Sequence, residues 1–133
     1  MTVVVDASAV VAALVDGGSD GQWADAELVR EGLAAPHLMP VEAANILRRA
    51  VLAGDLSADV AALAHDDLVA LQVELFPYEP HAQRVWQLRD NLTAYDGWYV
   101  ALAEALGVPL VTLDRRISLA PGPRCEFRMP PLP

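Results

Sequence analysis

Lysine is absent from this sequence of 133 residues, and all nine basic residues are arginines. They stand against 18 acidic residues, which gives a formal net charge of −9. Proteins that bind nucleic acid without sequence preference meet the backbone phosphates with an excess of Lys and Arg. The composition therefore excludes broad nonspecific binding and leaves local phosphate contacts to paired arginines at 48–49 and 115–116, if these are not simply solvated surface.

Cysteine occurs once, at Cys125. A single cysteine excludes a disulfide within the chain, and the sequence has no Cys/His spacing of the zinc-binding type. The three histidines, at positions 37, 65 and 81, fall on different predicted elements and are interpreted as ordinary surface or packed residues. These absences predict a reducing, cytoplasmic setting.

Long hydrophobic runs are also absent. The apolar stretch from Val3 to Val15 is interrupted by Asp6 and has no charged leader, so the sequence predicts neither a signal peptide nor a membrane span. Hydrophobic residues nevertheless make up 54% of the chain, which we interpret as apolar surface reserved for a partner or a second copy. The length predicts one domain over residues 1–133.

Turn signals and apolar periodicity predict alternating strands and helices, the pattern of an α/β fold with a mostly parallel sheet. The predicted strands are 3–5, 33–36, 73–76 and 110–113, and the predicted helices are 8–15, 19–30, 40–53, 58–71, 80–91 and 94–106. The proline-rich tail leaves room for one short strand near 126–128, at a sheet edge.

Four acidic residues stand at the ends of these elements. Asp6 and Asp114 follow predicted strands, and Glu42 and Asp96 fall in the first turns of predicted helices. The carboxyl ends of parallel strands meet at one edge, where α/β sheets bind ligands. Two carboxylates about 4 Å apart repel by roughly 4 kcal/mol at an effective dielectric of about 20, so such a cluster indicates a bound cation. Oxygen ligands favour magnesium or manganese.

Each acid also has an ordinary structural interpretation. Glu42 gains from the helix dipole, and Asp96 completes a T-x-x-D capping sequence that begins at Thr93. Asp6 and Asp114 are also suited to hydrogen bonds with the backbone of their own loops. Convergence at one edge of the sheet favours the metal-binding interpretation over these separate ones.

Three polar residues are predicted to support the acids. Ser8 follows the first acid by two residues and is suited both to capping a helix and to bonding the acids. Asn45 lies one helical turn from Glu42, and Thr112 alternates with Asp114 along its strand. Plain helix or strand surface is the alternative for Asn45 and Thr112.

The aromatic residues are few, 6% of the chain. Trp86 and Trp98 are interpreted as core or interface anchors. Trp23 and Tyr95 are interpreted as packing residues, with stacking on a nucleic-acid base as the alternative.

The motifs around the four acids resemble the PIN domain of VapC toxins over nearly the whole chain. That resemblance implies a three-layer α/β/α fold and a Mg²⁺- or Mn²⁺-dependent endoribonuclease, the toxin half of a toxin–antitoxin pair. It is carried by Val4-Val5-Asp6-Ala7-Ser8-Ala9, Glu42 with Asn45, Thr93-Ala94-Tyr95-Asp96 followed by Tyr99-Val100-Ala101-Leu102-Ala103, and Leu110-Val111-Thr112-Leu113-Asp114.

The resemblance also implies roles and partners. Asp6 and Asp96 would be the principal metal ligands, Glu42 a ligand or bridging acid, and Asp114 a more variable member acting through water, with Ser8 in support. The implied partners are an RNA substrate at a specific tRNA or rRNA site, a cognate VapB antitoxin and a second copy in a homodimer or larger assembly. The Gly-Trp pair at 97–98 departs from the family's usual small-aliphatic pair and is expected to alter the pocket wall.

Two other functions compete with this interpretation. Receiver domains and aspartyl-phosphate phosphatases also gather acids around magnesium, but they place a lysine in the site and this chain has none. A catalytically silent module of the same fold, which only holds a partner, stays compatible with the sequence. Retention of all four acids argues against it.

Overall fold

Five short apolar segments form the strands in the computed structural model, which describes residues 1–133. All four pairings are parallel, in the order β3-β2-β1-β4-β5. Val3, Val4 and Val5 are fully buried in the central strand, where β-branched side chains pack well on both faces. The strands are β1 (Thr2–Val5), β2 (Gly32–Pro36), β3 (Glu74–Phe76), β4 (Leu110–Val111) and β5 (Phe127–Arg128).

Seven α-helices cover the two faces of this sheet. Helices α1 to α4 pack against one another, whereas α5 packs on α6 and α6 lies against β1 and β2. The three-layer α/β/α architecture predicted from the sequence is therefore confirmed, and the sheet is parallel throughout. The helices are α1 (Ala7–Val15), α2 (Ser19–Arg30), α3 (Met39–Leu52), α4 (Ala58–Ala70), α5 (Ala82–Gln87), α6 (Ala94–Leu106) and α7 (Arg115–Leu119).

The strand order reverses at β1. The chain runs from β1 outward through β2 to β3, then crosses over to β4 on the other side of β1 and continues to β5. In parallel sheets such a reversal leaves a crevice at the carboxyl ends of the two neighbouring strands. Val5 pairs with Val111, so the residues that follow, Asp6 and Thr112, emerge side by side.

Two elements differ from the sequence prediction by more than one residue at an end, and one helix is additional. The helix predicted over 80–91 is a 3₁₀ turn at Glu79–His81 followed by α5, and it gives way to turns after Gln87 because Asp90 and Asn91 favour turns over helix. Strand β4 stops at Val111, where the Thr112 hydroxyl accepts a hydrogen bond from the Asp114 N–H and turns the backbone. Helix α7 was not predicted.

Several large apolar side chains lie on the surface. Trp86 is 65% exposed under the guanidinium of Arg89, 4.7 Å above its ring, so its interpretation as a core residue is wrong. Trp98 is half-buried and meets Tyr78 edge to face, with ring centroids 5.3 Å apart. No helix is both long enough and apolar enough to cross a membrane.

Candidate active site

Asp6 lies between β1 and α1 and caps the helix. Its Oδ1 accepts hydrogen bonds from Ser8 Oγ (2.6 Å) and the Ala9 N–H (3.0 Å), and its Oδ2 accepts one from the Thr112 hydroxyl. Burial raises the pKa of Asp6, the three hydrogen bonds lower it, and the charge of Asp114 raises it. The net shift is upward, so this carboxylate is ionised at a cost that a nearby cation would reduce.

Ser8 and Thr112 hold the loop after β4 against the start of α1. Ser8 Oγ accepts a hydrogen bond from the Leu113 N–H (3.2 Å), in addition to donating to Asp6. Thr112 is fully buried, and its hydroxyl bridges Asp6 and the Asp114 N–H. Both residues thus bond the acids as predicted, but the predicted capping role of Ser8 is wrong, because the N-cap of α1 is Asp6 and Ser8 lies inside the helix.

Glu42 lies in the first turn of α3, as predicted, and is half-buried. Its Oε1 accepts a hydrogen bond from the hydroxyl of Tyr99 (2.8 Å), which is 3% exposed on α6. Burial raises the pKa of Glu42, the Tyr99 hydrogen bond lowers it, and the charges of Asp96 and Asp6 raise it. Burial and the neighbouring Glu42 also raise the pKa of Tyr99, so it stays a neutral donor.

Sequence reasoning did not assign Tyr99 to the site. Its one local signal was the spacing of three residues from Asp96, which places both on one side of α6. The hydrogen bond itself joins residues 57 positions apart and fixes α3 against α6. Asn45 behaves differently, because it is exposed on α3 and lines a groove with Glu42 rather than bonding the acids.

Asp96 occupies the first turn of α6, and Thr93 is the N-cap, its hydroxyl accepting a hydrogen bond from the Asp96 N–H (3.1 Å). No basic side chain forms an ion pair with its carboxylate. Burial raises the pKa of Asp96 and so does the charge of Asp114, while Thr93 and the charge of Arg116 lower it. The net shift is upward, as for Asp6 and Glu42.

Asp114 is the one acid of the four that binds a cation of the chain itself. It caps α7, and the Arg116 guanidinium donates to both of its carboxylate oxygens, at 3.1 and 2.9 Å. These hydrogen bonds lower the pKa of Asp114. Arg115, its neighbour in the predicted phosphate-binding pair, instead donates to the Pro130 carbonyl and ties down the tail.

The four acids gather at one edge of the sheet, where the charges of Asp6 and Asp96 help to raise the pKa of Glu42. The charge of Asp114 helps to raise the pKa of both Asp6 and Asp96. No three His, Cys, Asp or Glu side chains form a preassembled metal site. Mg²⁺ does not require one, because it keeps several waters and takes one or two carboxylates. The Asp96 carboxylate and the second oxygen of Glu42 accept no hydrogen bond from a basic group, so this donor set fits such an ion.

The chain is similar to known proteins over nearly its whole length. The PIN domain family matches residues 3–122. Ribonuclease VapC1 of Mycobacterium tuberculosis is 44% identical over 128 residues, which cover 95% of this chain and 96% of that protein. This chain belongs to the VapC ribonucleases of the PIN domain family. The resemblance identified in the sequence is thereby confirmed.

Solved structures of the VapC family share the fold. VapC20 of Mycobacterium tuberculosis, described as a sarcin-ricin loop cleaving toxin, superposes with a TM-score of 0.67 at 13% identity over 88% of this chain and 93% of its own. VapBC2 of Rickettsia felis, solved on a promoter DNA fragment, gives a TM-score of 0.67 at 12% identity over 97% of this chain and 98% of the other. At these identities the match establishes the VapC fold alone.

Proposed function

We propose that this VapC-family protein is a Mg²⁺- or Mn²⁺-dependent endoribonuclease and the toxin of a toxin–antitoxin pair. The observation that carries the proposal is the set of acids at the carboxyl edge of the sheet, three of which have raised pKa values. Acids left in that state cost stability, which is expected where a divalent cation completes the site. The 44% identity to Ribonuclease VapC1 supports the same chemistry.

The acids differ in how firmly hydrogen bonds hold their side chains in place. Asp6 is fixed through Ser8 and Thr112, and Glu42 through Tyr99, so their oxygens are oriented before a substrate arrives. Asp96, whose charge acts on Glu42, forms no ion pair with a basic side chain. A bound Mg²⁺ or Mn²⁺ would supply positive charge at the scissile phosphate and lower the pKa of an attacking water.

Membership of the VapC family implies products with 5′-phosphate and 3′-hydroxyl ends, which form when water attacks the phosphorus and the 3′ oxygen leaves. A 2′,3′-cyclic phosphate would mean that the 2′-hydroxyl attacked, and would contradict the mechanism. We propose a specific tRNA or rRNA site as substrate, because folded RNAs are recognised through exposed single-stranded loops and shape.

The test is incubation of the purified protein with total cellular RNA, with and without Mn²⁺, followed by sequencing of the new 5′ ends. We expect discrete Mn²⁺-dependent ends that disappear in Asp96→Asn, with a loss of at least about 100-fold, as for other electrostatic groups in active sites. Glu104→Gln is a matched control, because it neutralises another acid of α6 at the opposite end of the helix from Asp96.

Two outcomes would overturn the proposal. Equal cleavage by the protein and by Asp96→Asn would assign the activity to something other than this site. The absence of cleavage with every divalent ion would favour the catalytically silent module.

A VapB-type antitoxin is the proposed partner. A groove of about 340 Å³ between α3 and α4 is lined mainly by small and apolar side chains, among them Leu47, Val51 and Ala61. Such a groove suits the apolar face of a partner helix. An arginine of the antitoxin reaching the unpaired acids would quench the site by the same bidentate contact that Arg116 makes with Asp114.

A homodimer is proposed from the exposed apolar side chains, which include Trp86 and Val69 at 65% and 73% exposure. Light scattering on the purified protein without its partner should give twice the chain mass of 14.3 kDa. A monomeric mass would contradict this part of the proposal.

A further inference from the structure

A groove of about 470 Å³ runs from the candidate active site along the first three turns of α3 to the start of α6. It contains Glu42 itself and continues through Asn45 and Arg49 on the same side of α3. Its other wall includes Tyr95, the residue before Asp96. The volume falls within the range of roughly 300–1,000 Å³ that small-ligand sites occupy. We call it the α3 groove.

Arg49 brings an uncompensated positive charge into this groove. The ion pairs of the chain engage Arg30, Arg84, Arg116 and Arg128, and Arg49 takes part in none of them. Four other arginines also form no ion pair, but Arg49 is the only arginine that lines this groove. Its planar donors suit a phosphate group.

Tyr95 supplies a flat apolar surface beside that charge. It is 58% exposed, so the sequence interpretation of Tyr95 as a packing residue is wrong. Trp23, given the same interpretation, is half-buried against the core, which confirms it. The sequence did not separate these two aromatic residues, and the tertiary structure leaves only Tyr95 available for stacking.

Proteins bind a single-stranded nucleotide with a stacking ring, a free guanidinium and an amide. The α3 groove contains all three groups. Asn45 offers one donor group and one acceptor to a base edge. The groove meets the acids at Glu42, so a strand held there would continue directly to the site of hydrolysis. Double-stranded RNA does not suit it, because a paired base cannot turn its face to Tyr95.

We propose that the α3 groove binds an unpaired nucleotide next to the scissile phosphodiester, with its base stacked on Tyr95 and its phosphate bound by Arg49. The inference deepens the proposed ribonuclease function and rests on it for the identity of the ligand as RNA. It assigns substrate selection to two residues that lie outside the acid cluster.

Binding of end-labelled total cellular RNA, the RNA used in the cleavage assay, tests the proposal by retention of the complex on a filter. The parent protein is the Asp6→Asn variant in Mg²⁺, because Asp6 does not line the groove and the RNA should stay intact. Adding Tyr95→Ala should weaken binding about 10-fold, the lower part of the range for loss of a stacked base. Adding Tyr95→Phe, which keeps the ring, should leave the affinity within about twofold.

Arg49→Gln tests the binding of the phosphate separately. It should reduce the slope of log affinity against log salt by about 0.7, because one phosphate of the single strand is then no longer neutralised by the protein. Arg48→Gln is the matched control, since Arg48 is the adjacent arginine, also exposed, but lines the groove between α3 and α4 instead. It should leave the salt slope unchanged.

Thermal unfolding checks that the variants are folded, and we expect no change for exposed side chains. Unchanged RNA affinity in Tyr95→Ala and Arg49→Gln, or an equal effect of Arg48→Gln, would overturn the proposal. So would a parent that binds no RNA, or groove variants that weaken only binding of an antitoxin, since the groove would then be a protein-docking surface.

Cleavage by the otherwise unchanged protein is measured in parallel and separates the two proposals. If cleavage is present and the groove variants bind RNA normally, the proposed ribonuclease function is supported and the proposed nucleotide site is contradicted. If cleavage is absent but the groove variants weaken RNA binding as expected, the proposed nucleotide site is supported and the proposed ribonuclease function is contradicted.

Discussion

The two ends of helix α6 each carry a carboxylate, and the pKa values of these two carboxylates are shifted in opposite directions. Asp96 in the first turn has a raised pKa, because it is partly buried and lies near Asp114. Glu104, near the last turn, is also partly buried, which alone raises its pKa. Hydrogen bonds from the Arg84 guanidinium and the Arg124 N–H outweigh the burial, so the pKa of Glu104 lies below its usual range.

The helix dipole would produce the opposite result. An acid is stabilised in its charged form at a helix N-terminus and destabilised near the C-terminus, by about 0.3–1 kcal/mol at the surface. Local surroundings therefore outweigh the dipole at both ends of α6. Burial and the charge of Asp114 raise the pKa of Asp96, and directly bound donors lower the pKa of Glu104. Arg84 contacts Glu104 at 2.7 and 3.1 Å and also donates to the Gly122 carbonyl at 2.8 Å, which makes this pair a link between α5, α6 and the tail.

The contrast distinguishes a structural acid from a candidate functional one. Glu104 is matched by an arginine of the same chain and stabilises the fold, whereas Asp96 is placed without a cation at an edge crowded by acids. A fold that gave Asp96 its own arginine would gain stability and lose the place for a metal ion.

The largest expected effect is stabilisation by a divalent cation at the Asp96 end alone. An ion that binds only the folded state adds about 2.7 kcal/mol to the free energy of unfolding at 100 times its Kd. Mn²⁺ should therefore raise the thermal unfolding midpoint of the unaltered protein and of Glu104→Gln by similar amounts. Asp96→Asn should lose most of the rise, and an equal rise in all three would place the ion elsewhere.

Neutralising the two acids should change stability in opposite directions when no divalent ion is present. Glu104→Gln should lower the free energy of unfolding by about 1–3 kcal/mol, because it removes charged hydrogen bonds and leaves Arg84, whose side chain is 22% exposed, without its partner. Asp96→Asn should raise it by about 0.5–2 kcal/mol, as neutralising a strained functional group commonly does. Urea unfolding at neutral pH measures both, and changes of the same sign would remove the contrast.

The smallest effect is a pH dependence of these differences. Because the pKa of Glu104 is depressed in the folded state, its contribution is present above the ordinary value of 4.5 and is lost as the pH falls through the folded value. The deficit of Glu104→Gln should therefore shrink on acidification below about pH 4.5.

The raised pKa of Asp96 has the opposite consequence. Its ionisation begins to cost stability as the pH rises above the ordinary value of 3.8, and the cost is complete above the folded pKa. The advantage of Asp96→Asn should therefore grow between pH 3.8 and neutrality. Urea midpoints across this range measure both trends, and a Glu104→Gln deficit that is constant with pH would show that packing, not charge, sets it.

Much of the fold was predictable because its signals are local. Thr93 and Gly107 mark the ends of α6 in the sequence, and both act as expected, Thr93 as the N-cap and Gly107 as a left-handed C-cap with φ of 66°. The edge strand in the tail was also predicted correctly, as β5. Helix α7 was missed because its five residues are too few to show a period, and its cap, Asp114, had been assigned to the site.

The sequence indicated which acidic residues lie at the candidate site, but not which side chains form hydrogen bonds with them. The sequence indicated that Asp6, Glu42, Asp96 and Asp114 follow strands or begin helices, and the structure places them at one edge. Whether they act as catalytic and metal-binding residues stays a prediction. Tyr99 on Glu42 and Arg116 on Asp114 were not foreseen, although Arg116 is only two residues from its partner.

The sequence by itself determined the order of the longer strands and helices, the N-caps of α4 and α6 and the position of each acid on its element, because these depend on neighbours within a few residues. Only the tertiary structure decided that Thr112 bonds Asp6 across 106 residues, that Arg84 pairs with Glu104 while Asp96 stays unpaired, and that Tyr95 is exposed. Such pairings follow from which strands become neighbours and which helix faces meet. That choice is made by burial of the whole core, and no local spacing records it.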